Sequence, residues 1–313
     1  MKKAILPIIL FTFFISCKSQ NIPPSIVFKE TIIKNGSNEG TLSSSDTKTP
    51  LVIIVPGSGP TDRNGNGAAQ VLNTNAYKMI SDELAKRDIA TFRFDKQGVG
   101  ASIYPGFDEG KLTFDTYIED LVQWIQKLKD QGFEKIYLIG HSEGSLISMV
   151  ALQKNQVSGF ISLSGPYQPA DEVLIRQLKG QPLFVISESN AIISELKAGR
   201  IVNIVPSYLQ ILFRTSVQPY LISWFKYSPT KEIRKVACKT LIIQGTTDIQ
   251  IPEYEADSLH KYKPEAEMLK IDQMNHILKT SSMIQNENVA TYSNPKLPLA
   301  PSLIDKIESF VKK

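Results

Sequence analysis

The stretch that decides the fold is residues 136–145, Ile-Tyr-Leu-Ile-Gly-His-Ser-Glu-Gly-Ser. Its first four residues predict a buried strand, and the apolar segment Ser145–Leu152 predicts a helix. Between them stands a G-x-S-x-G pattern with Ser142 at its centre. A turn this sharp crowds the backbone, so small residues must flank the serine, and Gly140 and Gly144 do so. Such a turn exposes the Ser142 hydroxyl at the carboxyl end of the strand, where a substrate can reach it.

A serine hydroxyl is a weak nucleophile and needs a general base. The chain has three histidines that could supply it. His141 adjoins Ser142, and we expect its side chain to point away across the turn and to pack there. His260 lies in a charged segment that predicts an exposed helix. His276 follows the predicted strand Ala266–Ile271, in a loop at the carboxyl end of that strand, and is therefore the predicted base.

The base needs a carboxylate that fixes its tautomer and stabilises its charged form. Asp248 comes shortly after the apolar strand pattern Lys239–Gln244, on a loop that contains glycine. Asp272 is the competitor, but it is too close in sequence to His276 for an easy approach. The sequence therefore predicts Asp248 as the acid, in the chain order Ser142, Asp248, His276.

Strand and helix patterns alternate along most of the chain. Strands are predicted at residues 26–34, 40–45, 51–55, 89–94, 135–139, 157–163, 239–244 and 266–271. Helices are predicted at residues 76–87, 116–131, 145–152 and 302–311. Thr116 and Glu119 have the spacing of a capping box at the start of the second helix. The alternation predicts an α/β fold, with a mainly parallel sheet covered by helices on both faces.

The alternation stops between about residues 166 and 236. This segment is rich in large apolar and aromatic residues but contains no strand–helix repeat. We expect a mainly helical insertion that forms a cap over the site. An apolar lining would favour an acyl or aryl group over a sugar or a charged peptide.

Further segments resemble those of the α/β-hydrolases, and the resemblance covers roughly residues 50–313. Residues 56–59, Pro-Gly-Ser-Gly, stand where that family carries its oxyanion loop. Residues 94–102 resemble the family's D-x-R-G-x-G-x-S segment, and Asp248 with Ile251-Pro252 matches its acid loop. The longer stretch 56–65, Pro-Gly-Ser-Gly-Pro-Thr-Asp-Arg-Asn-Gly, is most similar to a group of bacterial serine esterases.

Two departures from the family pattern are visible, since Pro56 replaces a more usual histidine and Gln97 a more usual arginine. The resemblance implies an oxyanion hole made by the backbone N–H groups of Ser58 and Glu143. Candidates for contact with the substrate on the same loop are Gly57, Gly59, Asp62 and Arg63. For the last two, an ion pair that shapes the loop is the simpler interpretation.

The N-terminus has the pattern of an export signal. Residues 1–3 are Met-Lys-Lys, and residues 4–15 are almost wholly apolar. That run is too short for a membrane span, which needs about 20 residues. Because Phe-Ile-Ser-Cys at 14–17 resembles a bacterial lipobox, we expect a signal peptide over 1–16, lipid on Cys17 and a polar tether over 17–25. The hydrolase domain then covers 26–313 of an exported lipoprotein on the periplasmic or outer-membrane face of the cell envelope; an ordinary secreted protein is the alternative.

Composition narrows the range of partners. The formal net charge is +4, and no Lys/Arg run is long enough to suggest nucleic acid. No Cys/His cluster has metal-ligand spacing, and serine-based hydrolysis needs no cofactor. Cys238 precedes a predicted buried strand and is interpreted as a packed thiol. The expected partners are a small-molecule ester and, through the lipid, a membrane.

The expected activity is hydrolysis of a carboxylic ester with a short acyl or aryl group, through an acyl-enzyme. A serine aminopeptidase would share the triad but would need a carboxylate for the amino group of its substrate, and Glu172, Glu188 and Glu195 leave that alternative open. A thioesterase or acyltransferase would also share it. The alternative of another class is a lipid-anchored binding protein that keeps an inactive hydrolase fold.

Overall fold

A computed structural model describes residues 28–67 and 72–313 of the chain. The predicted signal peptide, Cys17 and the tether lie outside the described residues. Within these residues eight strands form one sheet: β1 Lys29–Asn35, β2 Asn38–Ser44, β3 Leu51–Val55, β4 Ala90–Phe94, β5 Ile136–His141, β6 Gly159–Leu163, β7 Lys239–Gly245 and β8 Glu267–Ile271. The α-helices of the same residues are α1 Ala76–Ala85, α2 Phe114–Asp130, α3 Glu143–Ala151, α4 Ala170–Gln177, α5 Leu183–Lys197, α6 Gln210–Phe213, α7 Gln218–Trp224, α8 Pro229–Glu232, α9 Tyr254–Lys261, α10 Gln285–Ala290 and α11 Leu303–Lys312.

The strand order across the sheet is β1-β2-β4-β3-β5-β6-β7-β8. Strand β2 pairs antiparallel with both of its neighbours, whereas all neighbours from β4 to β8 are parallel. The prediction of a mainly parallel sheet is therefore confirmed. Because parallel strands end at one edge, the loops after β3, β5, β7 and β8 meet there. These loops carry Ser58, Ser142, Asp248 and His276, respectively.

Strand β3 shows why its sequence is continuously apolar. Leu51, Ile53 and Val55 pack with α2 and α3 on one face of the sheet. Val52 and Ile54 pack with α1 and α11 on the other face. Successive side chains of a strand point to opposite faces, so a strand covered on both sides must be apolar at every position.

Helix α2 begins earlier than the sequence predicted. Thr113 is its N-cap: the Thr113 hydroxyl accepts the N–H of Thr116, and the Thr116 hydroxyl accepts the N–H of Thr113. The predicted capping box of Thr116 and Glu119 was therefore wrong by about one turn. The reason is that a threonine at the third position supplies the reciprocal bond that Glu or Gln usually makes.

The insertion between β6 and β7 is helical, as predicted, and contains α4 to α8. It has a small core of its own, which includes Ile193, Leu196 and Phe213. It is joined to α2, where the ring of Trp224 stacks on Phe114 with the ring centres 5.7 Å apart. Among the helices of residues 28–67 and 72–313, none is both long enough and apolar enough to cross a membrane.

Candidate active site

The serine turn connects β5 to α3 and holds Ser142 in an unusual backbone conformation. Ser142 has φ 54° and ψ −120°, in a region that residues other than glycine rarely occupy. A Cβ on residue 140 would lie 2.5 Å from the carbonyl oxygen of Gly144, and one on residue 144 would lie 2.6 Å from that of Pro56. Only glycine fits at both positions, so the G-x-S-x-G pattern has a steric cause.

His276 and Asp248 form a buried pair, with Nδ1 of the imidazole 2.8 Å from Oδ2 of the carboxylate. The side-chain amide of Gln244 also donates to Oδ2, while the backbone N–H groups of Gln250 and Ile251 donate to Oδ1. Because a carboxylate only accepts, His276 Nδ1 carries the proton and Nε2 is left as the acceptor. This is the tautomer that a general base for a serine requires.

The environment of Asp248 favours its ionised form. Burial acts to raise the pKa of Asp248, but the charge of His276, its hydrogen bond and the two backbone N–H groups outweigh burial. The pKa of Asp248 therefore lies below its ordinary value. An ionised carboxylate here can stabilise the imidazolium that forms when His276 takes a proton.

The loops that carry the acid and the base contact each other directly. The N–H of Thr246 donates to the carbonyl of Ile271, and the N–H of Thr247 donates to that of Met274. A Cβ on residue 245 would lie 2.6 Å from the carbonyl carbon of Met274, so this approach requires Gly245. Glycine at the end of β7 thereby lets Asp248 reach His276.

The other candidates for base and acid lie elsewhere. His260 Nε2 lies 3.0 Å from the carbonyl oxygen of Ala266, and His260 lines neither cavity at Ser142. Asp272 is exposed, and its carboxylate accepts the hydroxyl of Thr246. Neither of these two side chains contacts His276.

His141 does not point away from the site, and that expectation was wrong. The buried His141 ring lines the same cavity as Ser142 and lies between two loops. Its Nε2 is 2.8 Å from the carbonyl oxygen of His276, and its Nδ1 is 2.7 Å from the hydroxyl of Tyr77. The N–H of Gly57 donates to the same hydroxyl.

The directions of these hydrogen bonds follow from the groups involved. A carbonyl only accepts, so His141 Nε2 must donate to His276; a neutral ring then accepts at Nδ1 from Tyr77. Burial, together with the charge of His276, lowers the pKa of His141 to about 3, so the ring is neutral. Gly57, Tyr77, His141 and His276 therefore form one directed chain that joins the oxyanion loop (56–65) to the base.

The two predicted oxyanion donors lie beside Ser142. Ser58 and Glu143 line a cavity that Ser142 also lines. Glu143 is the first residue of α3, so its N–H has no partner within the helix. No acceptor for the N–H of either residue is found in the part of the chain that the structure describes. Gly57 approaches closely, since a Cβ there would lie 3.2 Å from Cβ of Ser142.

Arg63 is held away from the cavities by an ion pair. Its guanidinium lies 2.6 Å from Oδ2 of Asp95 and 2.9 Å from Oε1 of Glu39. The guanidinium also donates to the hydroxyl of Thr41. Burial acts to lower the pKa of Arg63, but the two carboxylates raise it above its ordinary value. Arg63 thus anchors the oxyanion loop to β2 and to Asp95, which follows β4 directly.

Asp62 has a similar local role, because its carboxylate accepts the N–H groups of Asn64 and Asn66. Neither Asp62 nor Arg63 lines the cavities next to Ser142, whereas Gly57 and Gly59 do. Of the four candidates for substrate contact, the structure brings only the two glycines to the site.

Two cavities meet at Ser142. The first, the loop cavity, has a volume of about 280 Å³ and a mostly apolar lining that includes Leu72, Ile277 and Leu278 beside the polar side chains of Thr61, Thr74 and Gln250. The second, the cap cavity, has a volume of about 300 Å³ and lies between the cap and the sheet domain. Its lining is mostly apolar and includes Leu146, Val173, Leu174, Leu212, Leu221 and Trp224.

The described segments contain no cluster of metal-ligating side chains and one half-buried thiol. In residues 28–67 and 72–313, no group of three or more His, Cys, Asp or Glu side chains could hold a metal ion. Cys238 is half-buried, and burial raises its pKa to about 11. A thiol in that state is a poor nucleophile.

Known proteins resemble this chain in sequence and in fold. The model of the serine aminopeptidase S33 family matches residues 72–201. Esterase EstD from Thermotoga maritima is 23% identical over 263 residues, which cover 82% of this chain and 61% of that protein. The probable aminopeptidase YbaC from Bacillus subtilis is 25% identical over 149 residues, which cover 47% of this chain and 43% of that protein. The chain thus spans less than two thirds of the length of these curated relatives.

Est1E from Butyrivibrio proteoclasticus is similar in structure. It superposes with a TM-score of 0.52 over 90% of this chain and 96% of that chain, at 15% sequence identity. Together with the mostly parallel sheet and the helical insertion, this likeness shows that the chain has the α/β-hydrolase fold.

Proposed function

We propose that the chain is a serine hydrolase that cleaves uncharged carboxylic esters through an acyl-enzyme, without metal or cofactor. One observation carries the proposal: a buried carboxylate fixes His276 with Nε2 free, in the same cavity as a serine held on a strained turn. The esterase name of EstD supports the same activity.

The proposed mechanism assigns one role to each group. His276 Nε2 takes the proton of Ser142 as the hydroxyl oxygen attacks the ester carbonyl. The N–H groups of Ser58 and Glu143 stabilise the oxyanion, and the ionised Asp248 stabilises the imidazolium. His276 then gives the proton to the leaving alcohol. A water molecule activated by the same imidazole finally releases the acyl group.

The two cavities support a neutral substrate with a group on each side of the ester. The cap cavity suits an apolar acyl or aryl group, because burial of apolar surface favours binding. The loop cavity is also mostly apolar but carries a few polar side chains, such as Thr61, Thr74 and Gln250, and therefore suits an uncharged group. The charge of Glu143, the acidic residue that lines the cap cavity, is compensated by the ammonium of Lys96.

A serine aminopeptidase is the second candidate, because the S33 family model and YbaC carry that name. It would need a carboxylate for the amino group of the substrate. The three acidic residues that left this open are used elsewhere: Glu172 accepts from Gln168, Glu188 from Tyr208 and Glu195 from Arg200. None of the three lines either cavity.

The test compares p-nitrophenyl esters, acyl thioesters and amino-acid p-nitroanilides as substrates for wild type and Ser142→Ala. We expect turnover of the esters by wild type, none above background by Ser142→Ala, and an unchanged melting temperature. A fluorophosphonate probe should label wild type but not Ser142→Ala. Faster turnover of the anilides or thioesters would assign the chain to a peptidase or a thioesterase. Absence of both turnover and labelling would indicate a binding protein.

We also propose that the chain is an exported lipoprotein anchored through Cys17. The positive start, the short apolar run and the lipobox-like Phe-Ile-Ser-Cys support this. Metabolic labelling with an alkyne fatty acid should mark wild type and Cys238→Ser, and both should sediment with membranes. Cys17→Ser should lose the label, and a label retained in that variant would contradict the proposal.

A further inference from the structure

Lys96 is a buried lysine directly behind the oxyanion loop, and the proposed mechanism does not use it. It follows β4 and is only 3% exposed. Its ammonium donates to the carbonyl oxygen of Gly57 at 2.7 Å and to Oε1 of Glu143 at 3.2 Å. It also lies 4.9 Å from the centre of the Tyr117 ring. Three groups therefore stabilise the positive charge of Lys96: a carbonyl, a carboxylate and an aromatic ring.

The two partners of this ammonium are not arbitrary. The carbonyl of Gly57 belongs to the same peptide unit as the N–H of Ser58, one proposed oxyanion donor. A trans peptide is planar, so its N–H points opposite to its C=O, and fixing the carbonyl fixes the N–H. The other partner is the side chain of Glu143, whose own N–H is the second proposed donor.

Stability alone is a weak explanation for such a pair. Removing two charges from water is costly, and replacing a buried ion pair with apolar side chains is often neutral or stabilising. Glu143 Oε2 makes no hydrogen bond among the described residues, although the buried hydroxyl of Tyr220 interacts with this carboxylate. A pair that is costly to bury and that contacts both proposed oxyanion donors points to a role in the site.

We propose that Lys96 is the positioning residue of the oxyanion hole. It holds the Gly57 carbonyl and the Glu143 carboxylate so that the N–H groups of Ser58 and Glu143 converge on one oxygen. The ammonium also polarises the Gly57–Ser58 peptide, which strengthens the hydrogen bond that its N–H donates. This inference rests on the proposed ester hydrolysis.

The test is Lys96→Met, which keeps an unbranched apolar side chain one atom shorter and removes the ammonium. Loss of a whole oxyanion donor costs on the order of 10²–10³ in kcat, so loss of its positioning should cost about 10- to 100-fold. KM should stay within about twofold, because the two N–H groups bind the oxyanion, which exists only in the transition state. The affinity for a trifluoromethyl ketone, which forms an oxyanion adduct on Ser142, should fall by the same factor as kcat/KM.

Lys263 offers a matched control. It is also buried, and its ammonium donates to the carbonyl of Val236 at 2.8 Å and to Glu265 at 2.7 Å, away from the site. Lys263→Met should lower the melting temperature but leave kcat and the affinity for the ketone unchanged. The double variant Lys96→Met/Glu143→Met removes the stranded carboxylate but keeps the N–H of residue 143, and it should be folded and slow.

Each other outcome overturns the inference. Wild-type kcat in Lys96→Met, or a loss shared with Lys263→Met, would show that the pair serves stability alone, and so would unfolding of both Lys96 variants at the assay temperature. Failure of the proposed function is a separate result, since it would appear as an inactive wild type or an active Ser142→Ala before Lys96 is changed.

Discussion

At the scale of single residues, His141 joins the two loops on which the proposed chemistry depends. It accepts from Tyr77, which holds Gly57 of the oxyanion loop, and it donates to the carbonyl of His276. Its role requires a neutral ring, because an imidazolium could not accept from Tyr77. The residue next to the proposed nucleophile Ser142 must therefore stay uncharged.

This requirement predicts a dependence of stability on pH. The pKa of His141 is lowered to about 3 by burial, whereas an unfolded histidine titrates near about 6.5. Between these values the unfolded chain binds a proton that the folded chain does not, so the free energy of unfolding falls as the pH falls. The loss approaches about 1.4 kcal/mol per pH unit.

Urea unfolding at pH 7, 6 and 5 measures that slope. His141→Gln should be less stable at pH 7 but should show a flatter slope than wild type. His260→Gln changes a half-buried histidine outside the site and should keep the wild-type slope. Equal slopes in wild type and His141→Gln would contradict the prediction.

Tyr77→Phe tests the same chain of hydrogen bonds from its middle. It leaves the Gly57 N–H and His141 Nδ1 without a partner in a buried place, which costs about 1–3 kcal/mol of the free energy of unfolding. Because the oxyanion loop loses one support, we expect kcat on p-nitrophenyl acetate to fall as well. Tyr137→Phe is the control: this hydroxyl makes no hydrogen bond within the described residues, so both quantities should stay unchanged.

The sequence pointed to some of these residues and not to others. Ser142, Asp248 and His276 stand in patterns at strand ends that packing alone does not explain. Tyr77 lies on the apolar face of α1, where periodicity assigns it to the core. Lys96 precedes a glycine-rich loop, where a charged residue is expected to be exposed. Their roles depend on contacts between distant segments, and no local pattern encodes those contacts.

At the scale of elements, the two loops after β7 and β8 act as one unit. Gly245→Ala would force the Met274 carbonyl away, since the added Cβ would lie 2.6 Å from its carbon. We expect a lower melting temperature and a kcat reduced by about tenfold or more, because small displacements of catalytic groups are costly. Gly180→Ala adds a Cβ with no atom within 4 Å in the cap and should change neither quantity.

The predicted bounds of strands and helices agree with the structure where the apolar pattern of the sequence is strong. The predicted strand over 51–55 coincides with β3, and the predicted helix over 302–311 nearly coincides with α11. Residues 277–300, which contain α10, received no prediction. That segment has no regular apolar repeat, and long-range bonds hold it, such as the one from Asn288 to the carbonyl of Thr247.

At the scale of the whole molecule, the cap cavity predicts a limit on acyl length. Leu212→Trp would fill part of this cavity from a half-buried position on α6. The ratio of kcat/KM for p-nitrophenyl octanoate to that for the acetate should fall by about tenfold or more. Ile222→Trp places the same ring on α7 outside the cavity lining, so its ratio should match wild type. A wild-type ratio in Leu212→Trp would place the acyl group in the loop cavity instead.

The class of fold followed from the alternation of strands and helices, since only a covered parallel sheet satisfies continuous apolar strands such as 51–55. The arrangement of helices inside the cap could not be predicted from the sequence. Apart from α5, which has 15 residues, helices α4 to α8 are short, and the apolar residues of the insertion serve two surfaces, the cap core and the cavity. When a helix has apolar residues on two faces, its sequence shows no single hydrophobic period from which the helix could be predicted.

The order of the strands along the chain has a consequence for synthesis of the proposed enzyme on the ribosome. Synthesis delivers β5 with its serine well before β7 and β8, and the whole cap must emerge between them. A nascent chain that has folded as far as β6 carries the nucleophile but neither acid nor base. We therefore expect the growing polypeptide to be chemically silent, with activity arising only when the last two strands join the sheet.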